Sequence, residues 1–411
     1  MVSLRSLLFI IAVLSCSAVD KDAVFKPGDG GYACFRSPSL TFVDNDNRLL
    51  AILEAYKYGC VSRQWCDIVQ KVSTDGGASW SNVTLIYGTG GTGGNRSSPC
   101  FQNVSPTLDR RTGKLFLPFH AVWASDDSDN ATNHEDKPTT LMVTSDDHGR
   151  TYSAAEDVSA SFGGSAVLSM PGGIQLDSGR LVVPVYRHGP CPKAPKTQAT
   201  YCAYLVLSDE GSTWRPGAGA VNGSECQAAA LGGNSVLLNM RDASPGQDRQ
   251  LAASDGRLRS SGLRTRRLAR SDDGGETFTN IWLAHDLRDP CVEGSTISVP
   301  PPSGTGKNRT LYFSHPSPGT PLLAQQRVRA NLTVFSSSDQ GVSWRVVKTV
   351  DAGPSAYSAL ALGRDNRSLL VLFDKGIDTP DPCQGGDPCW QELSTVVVPS
   401  IGNGRRRREG V

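Results

Sequence analysis

Long apolar runs are scarce in this 411-residue chain, and none, the run at residues 7–14 included, is long enough to cross a bilayer as a helix. Charge of one sign is missing too. With 41 basic residues against 40 acidic ones the net charge is +1, and no clustered basic face for nucleic acid can be read from the sequence. No C-x-x-C pair with matching histidine spacing occurs, so neither a zinc site nor any other metal or cofactor is expected. Convincing helical periodicity is absent as well. Short β-rich runs are separated by turn residues, with 43 Gly and 25 Pro.

What is present is a polar turn that keeps returning. STDGGASW at residues 73–80 recurs as SDDHGRTY at 145–152, LSDEGSTW at 207–214, SDDGGETF at 271–278 and SSDQGVSW at 337–344. Asp75, Asp147, Asp209, Asp273 and Asp339 follow one another at intervals of 62 to 72 residues, and a fixed period marks a repeat architecture. The Asp-x-Gly pair suits a tight hairpin, because the carboxylate can cap local N–H groups and Gly tolerates positive φ. The Ser or Thr and the aromatic that follow begin the next strand.

The ends of the chain have their own signals. Residues 1–18 carry Arg5, the apolar run and the small residues Ser15, Ser17 and Ala18, the pattern of a secretory signal too short to span a membrane. Setting aside Cys16 leaves ten of the 11 cysteines, an even number that suits disulfides in an oxidising compartment. Spacing alone suggests Cys60/Cys66, Cys191/Cys202 and Cys383/Cys389 as bridges. Eight N-x-S/T sequons (at Asn82, Asn95, Asn103, Asn130, Asn222, Asn308, Asn331 and Asn366) fit a secreted or lysosome-like glycoprotein. Residues 401–411, with Arg405–Arg408, form a basic tail expected to be disordered.

The repeated turn resembles the Asp-box of the sialidase family, S-x-D-x-G-x-T-W, with the leading Ser displaced in the copy at 207–214. The resemblance implies an all-β fold, a six-bladed β-propeller over residues 25–400, with the boxes in hairpin turns away from the active site. Further motifs stand in family order. Phe35-Arg36-Ser37-Pro38 resembles the FRIP motif, which implies that Arg36 is the first arginine of the substrate pocket. Ser224-Glu225-Cys226-Gln227, and Arg241 at the end of the following strand, match a pocket-facing glutamate and arginine. Arg329-Ala330-Asn331-Leu332-Thr333-Val334 resembles the RxNLTV strand and makes Arg329 the third arginine, with Arg327 a competitor two residues away. Gly353-Pro354-Ser355-Ala356-Tyr357-Ser358 resembles the segment that holds the catalytic tyrosine, Tyr357. Asp374, in Leu372-Phe373-Asp374, stands where the family braces the first arginine.

One position departs from the pattern. The family's loop aspartate falls near Ser62, and no carboxylate stands within that loop; Asp67 is the nearby alternative for the general acid.

The chemistry implied by this set is coherent. A sialic acid carries a carboxylate on its anomeric carbon, and three guanidiniums give fork-shaped donors suited to it. That carboxylate would repel a carboxylate nucleophile, whereas a phenol avoids the clash. Glu225 would accept the phenol's proton, and Tyr357 would trap the oxocarbenium-like centre covalently. The expected function is retaining exo-α-sialidase activity on sialylated glycans of glycoproteins or glycolipids, without nucleic acid or a membrane-spanning segment. The alternatives are a sialic-acid-binding lectin that has lost the acid and a trans-sialidase.

Overall fold

The computed structural model describes residues 23–43, 47–59, 65–90, 99–122, 138–164, 166–193, 199–243, 265–301, 309–319, 328–376 and 390–398. Residues 1–18, Cys60, Ser62, Arg327, Cys383, Cys389, the sequons at Asn95, Asn130 and Asn308 and residues 401–411 lie outside them.

The described residues form strands and one short 3-10 turn, as an all-β chain should. The strands pair as successive antiparallel meanders. The first contains β2 (Cys34–Phe42), β3 (Leu49–Tyr56), β4 (Cys66–Ser73) and β5 (Thr84–Tyr87), while β1 (Ala23–Phe25) pairs elsewhere. In the second, β6 (Cys100–Gln102) and β7 (Thr107–Leu108) both flank β8 (Leu115–Val122), followed by β9 (Thr139–Ser145) and β10 (Glu156–Asp157). In the third, β11 (Val167–Leu168) and β12 (Ile174–Gln175) flank β13 (Leu181–His188), followed by β14 (Tyr201–Ser208) and β15 (Arg215–Val221). The fourth runs through β16 (Gly223–Gly232), β17 (Ser235–Asp242), β18 (Thr265–Ser271) and β19 (Asn280–Arg288). Next come β20 (Ser295–Val299), β21 (Thr310–Pro316), β22 (Ala330–Ser337) and the long β23 (Arg345–Leu362). The second half of β23 then pairs with β24 (Leu369–Gly376), β24 with β25 (Trp390–Val398), and β25 with β1 from the other end of the chain.

Sequence pattern explains which strands lie inside. Runs such as LLAILEAY in β3 and LLVLF in β24 are buried throughout, as continuous apolar strands should be. Fourth strands are polar or mixed and half-open: TLIY in β5 and the RVVKT start of β23 are partly or fully exposed.

The repeated turns occupy one place in every meander that has one, at the hairpin from the third strand to the fourth. In the first, Ser73 Oγ donates to Asp75 Oδ1 at 2.8 Å and accepts from Gly77 N at 2.8 Å. Asp75 in turn accepts from Ser79 N at 2.9 Å and from Ser79 Oγ at 2.5 Å. The same set recurs around Asp147, Asp273 and Asp339. The third box differs because its Ser is displaced. Ser208 Oγ still accepts from Gly211 N, but Asp209 is held by Arg180 Nε at 2.6 Å.

Two box glycines are required by more than their turns. Gly77 and Gly149 have φ of 75–96° and lie hard against a neighbouring meander: a Cβ would come within 2.8 Å of Leu370 in β24 and 2.5 Å of Leu50 in β3, respectively. The boxes are therefore contacts between meanders as well as turns within them.

One bridge matches its expected pair, Cys191–Cys202, which ties β14 to the segment just after β13. The Cys60/Cys66 expectation is corrected: Cys66 is bonded to Cys100 instead. Cys66 and Cys100 are directly opposed where β4 and β6 run parallel, with their Cα atoms 4.3 Å apart. Proximity in sequence lost to register in the sheet. Cys383/Cys389 lies outside the described residues.

The box carboxylates set a stability test. Burial pushes Asp273 up, but bonds from Thr277 and Ser271 outweigh it and hold the carboxyl at about 2. Asp273→Ala should cost roughly 1–2 kcal/mol, in the range of a lost cap with several bonds. A depressed acid stabilises above its unfolded range, and that contribution fades as pH falls towards its folded value. The Tm gap between wild type and Asp273→Ala should therefore shrink on acidification; a gap constant with pH would contradict this account.

Candidate active site

The antiparallel order sorts the chain's motifs onto two edges. The boxes follow the C-terminal ends of third strands. Arg36 and Glu225 stand near the N-terminal ends of first strands, Arg241 and Asp374 near the C-terminal ends of second strands, and Arg329 just ahead of β22. All of these lie on the edge opposite the boxes.

Irregular backbone aims three of the side chains. The ladder slips between Arg36 and Ser39, where Ser37 has φ of 62°, again between Ser224 and Cys226, and again between Ser355 and Ser358. Arg36, Glu225 and Tyr357 each sit at such a bulge. A bulge turns one residue away from the alternation of its strand, which is how an inner strand can present a polar group.

These turns bring the expected residues together. Tyr357 Oη donates to Glu225 Oε1 at 3.4 Å, and Glu225 Oε2 pairs with Arg241 Nη1 at 3.2 Å. The guanidiniums of Arg36 and Arg329 lie 5.8 and 5.7 Å from the centre of the Tyr357 ring, at cation–π range. Arg329 Nη2 also donates to the Cys291 carbonyl at 2.6 Å. Burial and the neighbouring Glu225 push the Tyr357 phenol well up, against the pull of Arg329 and Arg36, so the resting phenol keeps its proton.

Asp374 is fully buried near Arg36, where the family resemblance put a brace. Burial raises its carboxyl to about 7, with Arg36 pulling down and Glu54 pushing up. Glu54 itself, the Cα partner of Arg36 across β2 and β3, is buried and takes bonds from Tyr56 Oη (2.5 Å) and Asn103 N (2.6 Å). Burial pushes Glu54 up too, so this corner holds two carboxyls reluctant to ionise.

Asp67 has other work. It is buried at the start of β4, where Oδ2 accepts from Tyr32 Oη at 2.7 Å and from Gly90 N at 3.1 Å, and Oδ1 from Thr89 N at 2.9 Å. Its carboxylate anchors the turn after β5. Ser62, where the family's loop aspartate falls, lies outside the described residues.

Several participants escaped sequence reasoning. Arg266, with no exposed surface, donates to Asp289 Oδ2 (3.1 Å), to the Val292 carbonyl (2.9 Å) and to Asn239 Oδ1 (2.9 Å), and its Nη2 reaches the Glu225 carbonyl at 3.4 Å. It fixes the floor on which Tyr357 rests, since Val292 and Ala356 pack against that ring. Glu293, buried beside Glu225, and Tyr186 complete the surroundings. Arg266 lies within TRRLARS, where nothing marks it off from its neighbour Arg267; the DPCVEG stretch carries no periodicity at all.

Comparison with known proteins follows the same lines. The profile of the BNR repeat-like domain matches residues 93–370. A sialidase from Micromonospora viridifaciens is 29% identical over 376 residues, covering 85% of this chain and 51% of its own, so the chain spans about half the length of that relative. Sialidase-2 of Cricetulus griseus is 27% identical over 371 residues, 84% of this chain and 88% of its own. Among solved structures, a Hadza microbial sialidase superposes with a TM-score of 0.70 at 20% identity, covering 92% of this chain and 68% of that one, which is a likeness of fold.

Two measurements probe this geometry. Arg266→Met leaves Asp289 buried without its cation and should cost about 3–5 kcal/mol in urea unfolding; a loss under about 1 kcal/mol would mean the network is dispensable. Asp374 ionises later in the folded chain (about 7) than in the unfolded one, so its contribution to stability falls as pH rises from the usual carboxylate range to neutrality. Asp374→Asn should flatten that part of the stability–pH curve, and an unchanged slope would remove Asp374 as its source.

The profile over residues 93–370, the ordered motifs and the shared fold agree: the chain belongs to the sialidase family of BNR-repeat proteins.

Proposed function

We propose that this chain is a retaining exo-α-sialidase with Tyr357 as nucleophile, built as one six-bladed β-propeller domain over residues 25–400. The observation that carries the reading is the Tyr357–Glu225 contact set between Arg36, Arg329 and Arg241. For the blade count, the support is that each meander leads to the next and that Gly77 of the first rests on Leu370 of the last.

The substrate carboxylate would lie among the three guanidiniums, which supply charge-assisted bonds to an anion. Tyr357 would attack the anomeric carbon as the bond to the leaving oxygen breaks, passing its proton to Glu225. The 3.4 Å contact is long, as such contacts often are before substrate binds. Arg36 and Arg329 beside the ring favour the phenolate that develops on the way. Water would then release the sugar from the tyrosyl glycoside, returning the proton to the phenol oxygen and giving the product with the same anomeric configuration.

Protonation of the leaving group is not assigned to Asp67, whose oxygens hold the turn at 88–90. That same observation favours a second reading, a sialic-acid-binding protein that has kept the anion pocket. A membrane-spanning segment is not part of either reading, and no helix among the described residues is long and apolar enough to cross a bilayer. The disulfides Cys66–Cys100 and Cys191–Cys202 favour a secretory-pathway location, secreted or lysosome-like.

Two substrates separate the readings. An aryl α-sialoside needs little help from an acid, whereas sialyllactose needs its leaving hydroxyl protonated, a contribution of about 10²–10⁴ in rate. We expect the aryl compound to be cleaved with α-sialic acid as the first product by NMR, and Tyr357→Phe and Glu225→Gln to abolish most of that rate. Transfer to an added sugar acceptor would appear as a new sialoside in the same spectra. Binding of both compounds with turnover of neither would overturn the enzyme reading in favour of the binding protein.

A further inference from the structure

Glu293 is a carboxyl that stands in no recognisable motif and that the mechanism above does not use. It follows the turn between β19 and β20, and this turn is rigid. Asp289 Oδ1 accepts from Cys291 N and Val292 N at 2.9 and 3.2 Å, Arg266 grips the Val292 carbonyl, and Arg329 grips that of Cys291. On the far side, a Cβ at Gly294 would come within 2.6 Å of the Ser314 carbonyl, so the backbone lies directly on β21. Val292 presses on the Tyr357 ring. Glu293 thus has little freedom to swing out to solvent, and it is 3% exposed.

Its surroundings are short of positive charge. Glu225 and Cys226 face it from β16, Glu54 from β3, Tyr186 from β13 and Tyr357 from β23. The cation that reaches it is Arg266 of β18, whose donors already serve Asp289, Val292 and Asn239. Oε1 of Glu293 has no hydrogen-bond partner among the described residues. Two carboxylates in one dry space cannot both ionise cheaply, and the one without a cation of its own keeps its proton. Glu225 has Arg241 at 3.2 Å; burial and Glu225 together push Glu293 well up.

We propose that Glu293 is a positioning residue for the Tyr357–Glu225 pair, working as a neutral carboxylic acid, and that its ionisation sets the alkaline limit of the site. While it is neutral, Arg241 stays with Glu225 and remains available to an incoming carboxylate. Once ionised, it places a second negative charge beside Glu225 and Tyr357, which opposes both an incoming anion and transfer of the phenol's proton to Glu225. Proton loss from Glu293 to solvent is the whole of the switch.

This inference rests on the function proposed above, and its test separates the two. The pH profile of kcat/KM for the aryl sialoside is measured for wild type, Glu293→Gln and Glu293→Met, each normalised to its own maximum. Gln keeps the shape and a donor; Met keeps the volume without charge, which guards against a folding defect peculiar to one variant. We expect activity of the wild type to fall on the alkaline side by roughly tenfold per pH unit, as loss of one proton requires, and both variants to lack that limb. The limb surviving unchanged in both variants would overturn the proposal. Were the wild type to cleave no sialoside, the enzyme reading would fall by itself. Calorimetric binding of sialic acid across the same pH range would then decide, affinity weakening with pH in the wild type alone supporting Glu293 and parallel curves overturning it.

Discussion

Collecting guanidiniums around one phenol is the constraint on which the rest of this site depends. Arg36 and Arg329 lie within 6 Å of the Tyr357 ring, and Arg241 reaches it through Glu225. Left alone, three such charges in a partly dry space would repel one another and pay for lost hydration. Each is therefore given its own counterweight: Arg241 has Glu225, Arg329 has the Cys291 carbonyl, and Arg36 lies beside Asp374 and Glu54. The counterweights stop short of full neutralisation. Asp374 and Glu54 are both pushed towards their neutral forms, so the pocket retains net attraction for an anion.

The fold supplies this arrangement through two opposed edges. Meander hairpins at the third-to-fourth strand junction are closed by turns in which a carboxylate and a serine hydroxyl take up the local N–H groups. The other edge is free to hold irregular backbone, and there the ladder slips at Arg36, Glu225 and Tyr357. Regularity at one edge supports irregularity at the other. Arg266 extends the same logic beneath the site, binding the Glu225 carbonyl and the turn under Tyr357 with one planar group.

Local chemistry was legible in the sequence, and long-range pairing was not. The boxes could be read because their turn-forming bonds lie within four residues, as in Ser73, Asp75, Gly77 and Ser79; the Arg180 that holds Asp209 of the third box could not. Arg36, Glu225, Arg241, Arg329 and Tyr357 could be singled out because each stands in a motif with a resemblance to follow, and the fold sets them side by side. Cys66 was assigned the wrong partner because its true one, Cys100, lies 34 residues away and is brought opposite by sheet register alone. Glu293 and Arg266 gave no sign because what distinguishes them is burial beside other charges, a property of the assembled sheets.

The count of boxes follows from the same topology. A box needs a covalent hairpin between a third strand and a fourth. The last meander, β23 to β25, takes its outer strand from β1 at the opposite end of the chain, so its third strand has no hairpin there to close. One meander therefore goes without a box, and the joint made elsewhere by a turn is made here by β1 pairing with β25. Phe25 and Val24 of β1 are buried in the same core as Leu370 and Leu372 of β24 and Leu49 of β3. The chain's first strand is thus packed between its last meander and its first. It is short, three residues, and its pairing register shifts within that length. What holds it is side-chain burial more than the ladder: Phe25 has no exposed surface and lies 5.2 Å from the Phe35 ring, while Lys71 covers its face at 5.0 Å and donates to the Val24 carbonyl at 2.8 Å. Phe35 immediately precedes Arg36, so the aromatic contact that seats β1 also fixes the strand carrying the first arginine of the pocket.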